Sequence, residues 1–174
     1  MNPQNQETKR ITQESIAIAA YQILVSGEDL SITAICNRAG VSRNAFYRNF
    51  ETTDAVILHY LIIEWQNYAD ENNVSDDNKE DITMHLVRYF YQKRDLLRAL
   101  RKRNLLYIME NLFLSILIPE SENVAGGIRY LLYTTAFGMY GFIRAMIDND
   151  FSDSPDDIAK MSLQNMSPLS KTSE

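Results

Sequence analysis

The sequence predicts an all-α protein, and three observations support this fold class. Apolar residues recur at spacings of three and four, as in the set Ile16, Ala19, Ala20 and Ile23, which is the period of an amphipathic helix. Alternation of apolar and polar residues, which is typical of strands, is scarce. Proline, the strongest helix breaker, occurs only at positions 3, 119, 155 and 168, so the long middle of the chain can be helical.

Capping residues predict three helices in the N-terminal part. Thr12 is expected to begin the first helix and Gly27 to end it. Ser31 and Gly40 are expected to bound a second helix, and Ser42 to begin a third. Because glycine adopts positive φ without steric cost, Ala39-Gly40-Val41 can form a tight turn between the second and third helices.

The remaining helices are predicted from apolar period and from polar interruptions. A long fourth helix should begin at Thr52 or Thr53 and run toward Tyr68, with Asp54 well placed at its positive end. The acidic stretch 69–81 has no apolar period and is expected to be a loop. Further helices are expected at 81–92, at 94–117 (continuous or broken near Arg103), at 124–148 and from Pro155 to Gln164.

Composition limits the kind of protein this can be. With 174 residues, of which 45% are apolar, the chain can bury a substantial core. The net charge of -6 means that any contact with nucleic acid must be local. A single cysteine, Cys36, excludes an intramolecular disulfide and a cysteine-rich zinc site, and fits a reducing cytoplasm. No signal peptide or membrane-spanning run is recognisable, so a cytoplasmic protein without membrane association is expected.

The sequence gives little support for catalysis. His59 and His85 are the only histidines, and neither stands in a metal-ligand spacing or beside a nucleophile pattern. Phosphate-binding glycine motifs are missing from the sequence. We therefore expect no enzyme, cofactor or metal; a catalytic helical bundle remains an alternative for which no catalytic constellation can be named.

Residues 40–50, GVSRNAFYRNF, combine apolar anchors with cationic and amide groups. With Ser42 as N-cap, Phe46 and Phe50 lie one turn apart on the anchored face of the third helix. The polar side chains lie on another face, which is free. Arginine can bond guanine and asparagine can bond adenine in the major groove, whereas hydroxyl and amide groups suit phosphates. The expected base contacts are Arg43, Asn44 and Arg48, and the expected phosphate contacts are Ser31, Ser42, Tyr47 and Asn49.

A hydrophobic core is expected to hold this pair of helices together. Val41 and Phe46 occupy the two positions of a hydrophobic staple, which fixes how the chain enters the third helix. The predicted core of the motif is Ile35, Ala39, Gly40, Val41, Phe46 and Phe50. The alternative is an ordinary helical hairpin whose polar residues are merely solvated.

The segment SITAICNRAGVSRNAFYRNFETTDAVI resembles the N-terminal DNA-binding domain of TetR-family transcriptional regulators, in which A-G-V-S precedes an aromatic residue and Tyr-x-x-Phe. The resemblance implies a three-helix DNA-binding domain at 9–58, with the helix-turn-helix at 31–50, and a C-terminal helical ligand-binding and dimerisation bundle at 59–165. Residues 166–174 are expected to be a flexible tail. The resemblance further implies that the protein is a homodimeric, ligand-responsive repressor. Its operator would be a palindromic inverted repeat in double-stranded DNA.

The set of expected DNA contacts also includes Thr33, Ala45 and Thr53. Many family members carry lysine where this chain has Thr53, and residues 1–60 contain five bases against six acids. Because each missing cation removes a counterion-releasing contact, nonspecific affinity for DNA is expected to be weak. The alternative function is therefore a helical ligand-binding or partner-binding protein with a TetR-like fold and weak or no operator binding.

A weaker resemblance to the C-terminal end of such regulators covers 130–160. The resemblance implies a dimer interface here, and Gly138 and Gly141 would let a second helix approach closely. Its expected members are Phe137, Gly138, Tyr140, Gly141, Phe142 and Ile143. The alternative is that these residues fill the core of a single chain, since a helix that is apolar all round is buried somewhere.

Aromatic and apolar residues between the two ends are candidates for a pocket that binds a small apolar or aromatic effector. The expected members are Trp65, Tyr68, Leu86, Phe90, Leu97, Tyr107, Phe113 and Phe137. A core without a pocket is the alternative. The basic run 93–103 is interpreted as a solvated helix face with leucines inward, or alternatively as a site for an anion or nucleic acid.

Overall fold

The computed structural model describes residues 3–74, 79–118 and 126–166, which form helices and contain no strand. The all-α fold class predicted from the sequence is confirmed. The helices are α1 Pro3–Ser26, α2 Ile32–Ala39, α3 Arg43–Tyr47, α4 Thr53–Glu71, α5 Lys79–Gln92, α6 Arg94–Lys102, α7 Ile108–Leu117, α8 Gly126–Asp148 and α9 Pro155–Met166.

The boundaries of the short N-terminal helices follow the predicted caps. Ser31 accepts a hydrogen bond from the Ala34 amide at 3.3 Å, and Ser42 accepts one from Ala45 at 3.1 Å. Thr52 caps α4 in the same way. Gly40 has φ 67°, the left-handed conformation expected between α2 and α3.

The first helix begins earlier than the sequence predicts. It starts at Pro3, and Thr12 is not a cap, because its hydroxyl donates within the helix to the Thr8 carbonyl at 2.8 Å. Arg10 pairs with Glu7 and Glu14 one turn away on each side, which supports an exposed helix locally. The apolar period could not reveal this extension, since residues 4–11 are exposed and bury no face.

Two other predicted boundaries also change. Helix α4 continues to Glu71 and α5 begins at Lys79, so both ends of the expected loop 69–81 are helical, and its positions 75–78 lie outside the described residues. Of the two alternatives for the expected helix 94–117, continuous or broken near Arg103, the structure shows the broken one. Asn104 adopts φ 59° at the break. Part of two further predictions lies outside the described residues: positions 124–125 of the predicted helix 124–148, and positions 167–174 of the predicted tail.

One continuous hydrophobic core joins the N-terminal helices to the bundle. α1 packs on α2 and α4, α4 packs on α7, and α7 packs on α8, whereas α5 packs on α9. Phe90 and Phe113 meet edge to face in the middle of the bundle, with ring centroids 5.6 Å apart. Helix α4 therefore belongs to both halves, because it packs on α1 and also on α7 and α5 of the bundle.

The basic run 93–103 contains the whole of α6, and acidic side chains pair with several of its bases. Arg98 pairs with Asp150 at 2.8 Å and Arg101 pairs with Asp148 at 2.9 Å, which ties α6 to the turn between α8 and α9. The leucines of the run are buried, whereas these arginines are exposed at the surface. Among the helices of the described segments, none has the length and apolar character needed to cross a bilayer.

Candidate nucleic-acid interface

Two phenylalanines fix α3 to the protein. Phe46 is fully buried at 0% exposure and Phe50 is also buried, with their ring centroids 6.2 Å apart. The Phe50 ring meets the His59 ring of α4 edge to face at 5.2 Å. A helix of five residues has few internal hydrogen bonds, so its conformation depends on this anchoring.

The opposite side of α3 is open to solvent and carries four polar side chains, Arg43, Asn44, Tyr47 and Arg48, which we call the recognition face. Tyr47 is 52% exposed. Neither Arg43 nor Arg48 forms an ion pair with any residue that the structure describes, in contrast to Arg38, which binds Glu28 at 2.8 Å. The recognition face therefore presents two uncompensated guanidinium groups and a carboxamide.

Other predicted contact residues have internal partners. Ser31 and Ser42 use their oxygens as cap acceptors, which leaves the hydroxyl protons available to a phosphate. Asn49 donates to the Ala45 carbonyl at 2.7 Å, so its amide group is held along α3. The Thr53 hydroxyl lies 3.4 Å from an Asp54 oxygen, which places a carboxylate beside the expected phosphate contact.

The final predicted contacts differ in exposure: Thr33 is exposed, whereas Ala45 is partly buried. The predicted motif core is largely internal. Ile35 is buried, and Ala39 and Val41 pack partly buried against the core. Gly40 supplies the turn and stays exposed.

Burial shapes the titration of two groups under α3. Burial raises the pKa of the Cys36 thiol, and nearby Arg43 only partly offsets this. Cys36 is thus a packed, protonated thiol. Burial also lowers the pKa of His59, against the opposing effect of Glu14, so the ring favours its neutral form.

Two polar contacts connect the bundle to the start of α4 and to the segment before α2. The Tyr107 hydroxyl donates to the Asp54 carboxylate at the start of α4, and the Arg103 guanidinium donates to the Glu28 carbonyl before α2. The pKa of Tyr107 is raised, first by its hydrogen bond to Asp54. Tyr107 was expected in an internal pocket, but it is 45% exposed and lies at this junction.

The bundle contains a cavity of about 20 Å³ between α5, α7 and α8. Three residues expected in a pocket, Leu86, Phe90 and Phe113, line it. Four other residues expected in the pocket do not line this cavity. Trp65, Tyr68 and Leu97 pack in or against the core, and Phe137 is 47% exposed. The full lining is Thr83, Leu86, Val87, Phe90, Phe113, Met139, Phe142 and Ile143.

Helix α8 divides the residues expected at a dimer interface between two sides. Phe137, Gly138 and Gly141 are exposed, whereas Ile143 is 3% exposed and lines the internal cavity with Phe142. Ile143, which was predicted at the dimer interface, is therefore covered by its own bundle. Tyr140 is partly buried. The exposed apolar side chains instead extend toward the start of α8, to Ile128, Tyr130, Leu131 and Tyr133, which sequence reasoning missed.

Metal ligands are not grouped anywhere in the three described segments: no set of three or more His, Cys, Asp or Glu side chains is close enough to hold an ion.

Comparison with solved structures identifies one similar fold. The crystal structure of native NalD, the secondary repressor of the MexAB-OprM multidrug efflux pump in Pseudomonas aeruginosa, superposes with a TM-score of 0.51. The match covers 91% of this chain and 95% of NalD at 17% sequence identity. No family model matches the sequence, and no curated protein is significantly similar to it. The chain therefore shares the all-α fold of this repressor.

Proposed function

We propose that this protein is a sequence-specific DNA-binding transcriptional regulator that represses by binding an inverted-repeat operator as a homodimer and responds to a small ligand. The observation that carries the proposal is the two-sided character of α3. Phe46 and Phe50 are buried on one side, and Arg43, Asn44, Tyr47 and Arg48 are exposed on the other. NalD, which has a similar fold, is itself a repressor.

In the proposed complex, α3 lies in the major groove. Arg43, Asn44 and Arg48 contact base edges, whereas Tyr47 and the cap hydroxyls contact phosphates and fix the register. The two copies in a dimer would be spaced by about 34–36 Å or another whole-turn distance, so the operator is an inverted repeat. Asn49 and Thr53 contribute less, since both already have internal partners.

The proposed dimer is formed by the exposed side of α8. A side-chain carbon added at Gly138 or Gly141 would meet nothing within 4 Å in the described part of the single chain, so this side is open. Large apolar side chains surround the two glycines, as expected of a surface that a second copy covers. A helix of the second copy can approach closely at the glycines.

The proposed effector is apolar or aromatic and binds between α5, α7 and α8. A cavity of about 20 Å³ holds roughly one water, far less than a typical ligand pocket. An effector would therefore favour a conformation in which these helices separate, and would shift the population by its preference for that state. Helix α7 packs on α4 and would carry the change toward α3.

The proposal is tested by selecting bound fragments from the host genome and measuring affinity for the recovered sequence by fluorescence anisotropy. Arg43→Ala and Asn44→Ala should each reduce the preference for the selected bases by about 1–3 kcal/mol. Tyr47→Phe should weaken binding to all sequences alike. Arg94→Ala, which removes an exposed arginine from α6, is the charge-matched control and should change neither.

Two results would contradict this assignment. One is that no genomic fragment is enriched; the other is that the three α3 variants lose affinity equally on every sequence. Because affinity for phosphates falls steeply with salt, all measurements must share one ionic strength.

The second candidate is a ligand-binding or partner-binding protein that retains this fold without operator binding. The charge distribution favours it, because Arg10 and Arg38 are already paired with acids and the first 60 residues are not net basic. A gel shift with the DNA upstream of its own gene discriminates between the two functions. A shift at low protein concentration that survives competitor DNA supports the regulator; its absence supports the alternative.

A further inference from the structure

A second and larger concavity lies outside the bundle, between α1 and α4. One face of each helix lines it: Glu14, Ala17 and Ile18 from α1, and Tyr60, Ile63, Glu64 and Asn67 from α4. These spacings of three and four place each set on one side of its helix. The concavity has a volume of about 220 Å³, compared with about 20 Å³ for the cavity inside the bundle. We call it the α1–α4 groove.

The groove combines an apolar floor with acidic walls. Ala17, Ile18 and Ile63 supply apolar surface, and Ile18 is unusually exposed for an isoleucine. The only charged side chains that line the groove, among the residues described, are two carboxylates, Glu14 and Glu64. A ligand that fits this surface has an apolar body and positive charge.

Both carboxylates have basic partners, but neither partner lines the groove. Arg10 binds one oxygen of Glu14 at 2.5 Å in a pair that is largely exposed, and such pairs contribute little. Lys93, at the start of α6, binds one oxygen of Glu64 at 2.7 Å. A cation in the groove would share Glu64 with Lys93 or displace it, so the two cations compete.

An aromatic wall completes the groove. The Tyr60 ring stacks on Tyr21 of α1, with centroids 4.5 Å apart and planes at 11°. Burial raises the pKa of Tyr60, and the neighbouring Glu64 carboxylate raises it further, so its hydroxyl stays neutral. Because Tyr21 covers one face of the Tyr60 ring and only 8% of Tyr60 is exposed, Tyr60 contributes apolar surface to this wall.

We propose that the α1–α4 groove is a binding site for a small organic cation, whose charged nitrogen faces Glu14 and Glu64 and whose apolar body covers Ile18, Ile63 and Tyr60. The site is separate from the recognition face and from the cavity in the bundle. It does not depend on the proposed function, because a protein that binds no DNA would still contain it.

Isothermal titration calorimetry with benzyltrimethylammonium chloride tests the proposal. The control ligand is 2-methyl-1-phenylpropan-2-ol, a neutral alcohol of nearly the same shape. The cation should bind, and the alcohol should bind at least about tenfold more weakly, which corresponds to the loss of the charge interaction. Equal binding of the two would overturn the proposal, because it would show that charge is not recognised.

Two variants that break the same ion pair should act in opposite directions. Glu64→Gln removes a carboxylate from the wall and should weaken cation binding about tenfold, whereas Lys93→Gln removes the competing ammonium and should tighten it about threefold. Loss of binding in both would mean that the ion pair only maintains the structure. Glu51→Gln, which removes an exposed carboxylate away from the groove, is the matched control and should leave affinity unchanged.

The position of the ligand is read from isoleucine methyl groups by NMR. Cation binding should shift the methyl resonances of Ile18 and Ile63, which line the groove, and should leave that of Ile143, which lines the internal cavity, unchanged. The opposite pattern would place the cation inside the bundle and would overturn the assignment. Operator affinity measured without the cation is a separate result, so failure of this site and failure of the proposed function are distinguishable.

Discussion

Replacing Phe46 with alanine tests whether two rings, rather than backbone hydrogen bonds, hold α3 in place. Phe46 is fully buried and contacts the rings of both Tyr47 and Phe50. Truncation of a buried phenylalanine typically costs about 3–5 kcal/mol, from lost burial and from the cavity that remains. The site lies under a five-residue helix that can collapse, so we expect the lower end of this range.

The neighbouring residue provides a matched control. Tyr47→Ala removes a ring of similar size from the same helix, but this ring is half exposed. Exposed substitutions usually change stability by less than about 0.5 kcal/mol, and the edge contact with Phe46 adds a modest amount. We therefore expect Tyr47→Ala to cost under about 1 kcal/mol.

Urea denaturation followed by circular dichroism at equilibrium measures both variants. The fluorescence of the single tryptophan, Trp65, supplies a second probe in the bundle. Coincident transitions would show that α3 and the bundle unfold together, which is the condition for comparing free energies. Equal destabilisation by the two substitutions would refute the reasoning, because it would mean that α3 is not anchored through Phe46.

Three further outcomes follow from buried or strained groups. Tyr89→Phe should raise the free energy of unfolding, measured in thermal or urea melts, by about 1 kcal/mol. The reason is that the buried Tyr89 hydroxyl has no hydrogen-bond partner in the described segments. Destabilisation by this substitution would contradict the expectation and would reveal a partner for the hydroxyl. Burial lowers the pKa of His59 below its unfolded value near 6.5, so the unfolded state binds more protons and stability should fall as the pH drops from 7 through that value. The His59→Gln variant should show a flatter dependence of unfolding free energy on pH. An unchanged slope would contradict this reasoning. Gly40→Ala should cost about 1 kcal/mol, since φ is 67° there, and a neutral result would mean that the turn relaxes.

Helices α2 and α3 were predictable from sequence because their ends are chemically marked. Ser31 and Ser42 cap α2 and α3, and Gly40 takes the left-handed conformation that few other residues adopt easily. Phe46 and Phe50 share a face because they are four residues apart. These are local properties of the chain, and no tertiary information was needed to infer them.

The start of α1 and the orientation of α8 were not predictable for a different reason. The first turns of α1 are stabilised by ion pairs within the helix and bury nothing, so they leave no apolar period. Helix α8 is apolar on nearly all sides, and period alone cannot tell which side its own bundle covers. Ile143 faces inward because α5 and α7 lie there, whereas Tyr130 and Phe137 face outward.

The polar contacts at the junction set a limit on how the proposed effector could act. The Tyr107–Asp54 and Arg103–Glu28 hydrogen bonds lie among exposed groups, and such contacts are individually worth about 1 kcal/mol or less. They are too weak to transmit a large change by themselves. Apolar packing of α7 on α4 is extensive and has few alternative arrangements, because interiors are densely packed. An effector that separates α7 from α8 would therefore act on α3 mainly by moving α4 as a rigid element, and the two hydrogen bonds would only bias which position α4 adopts.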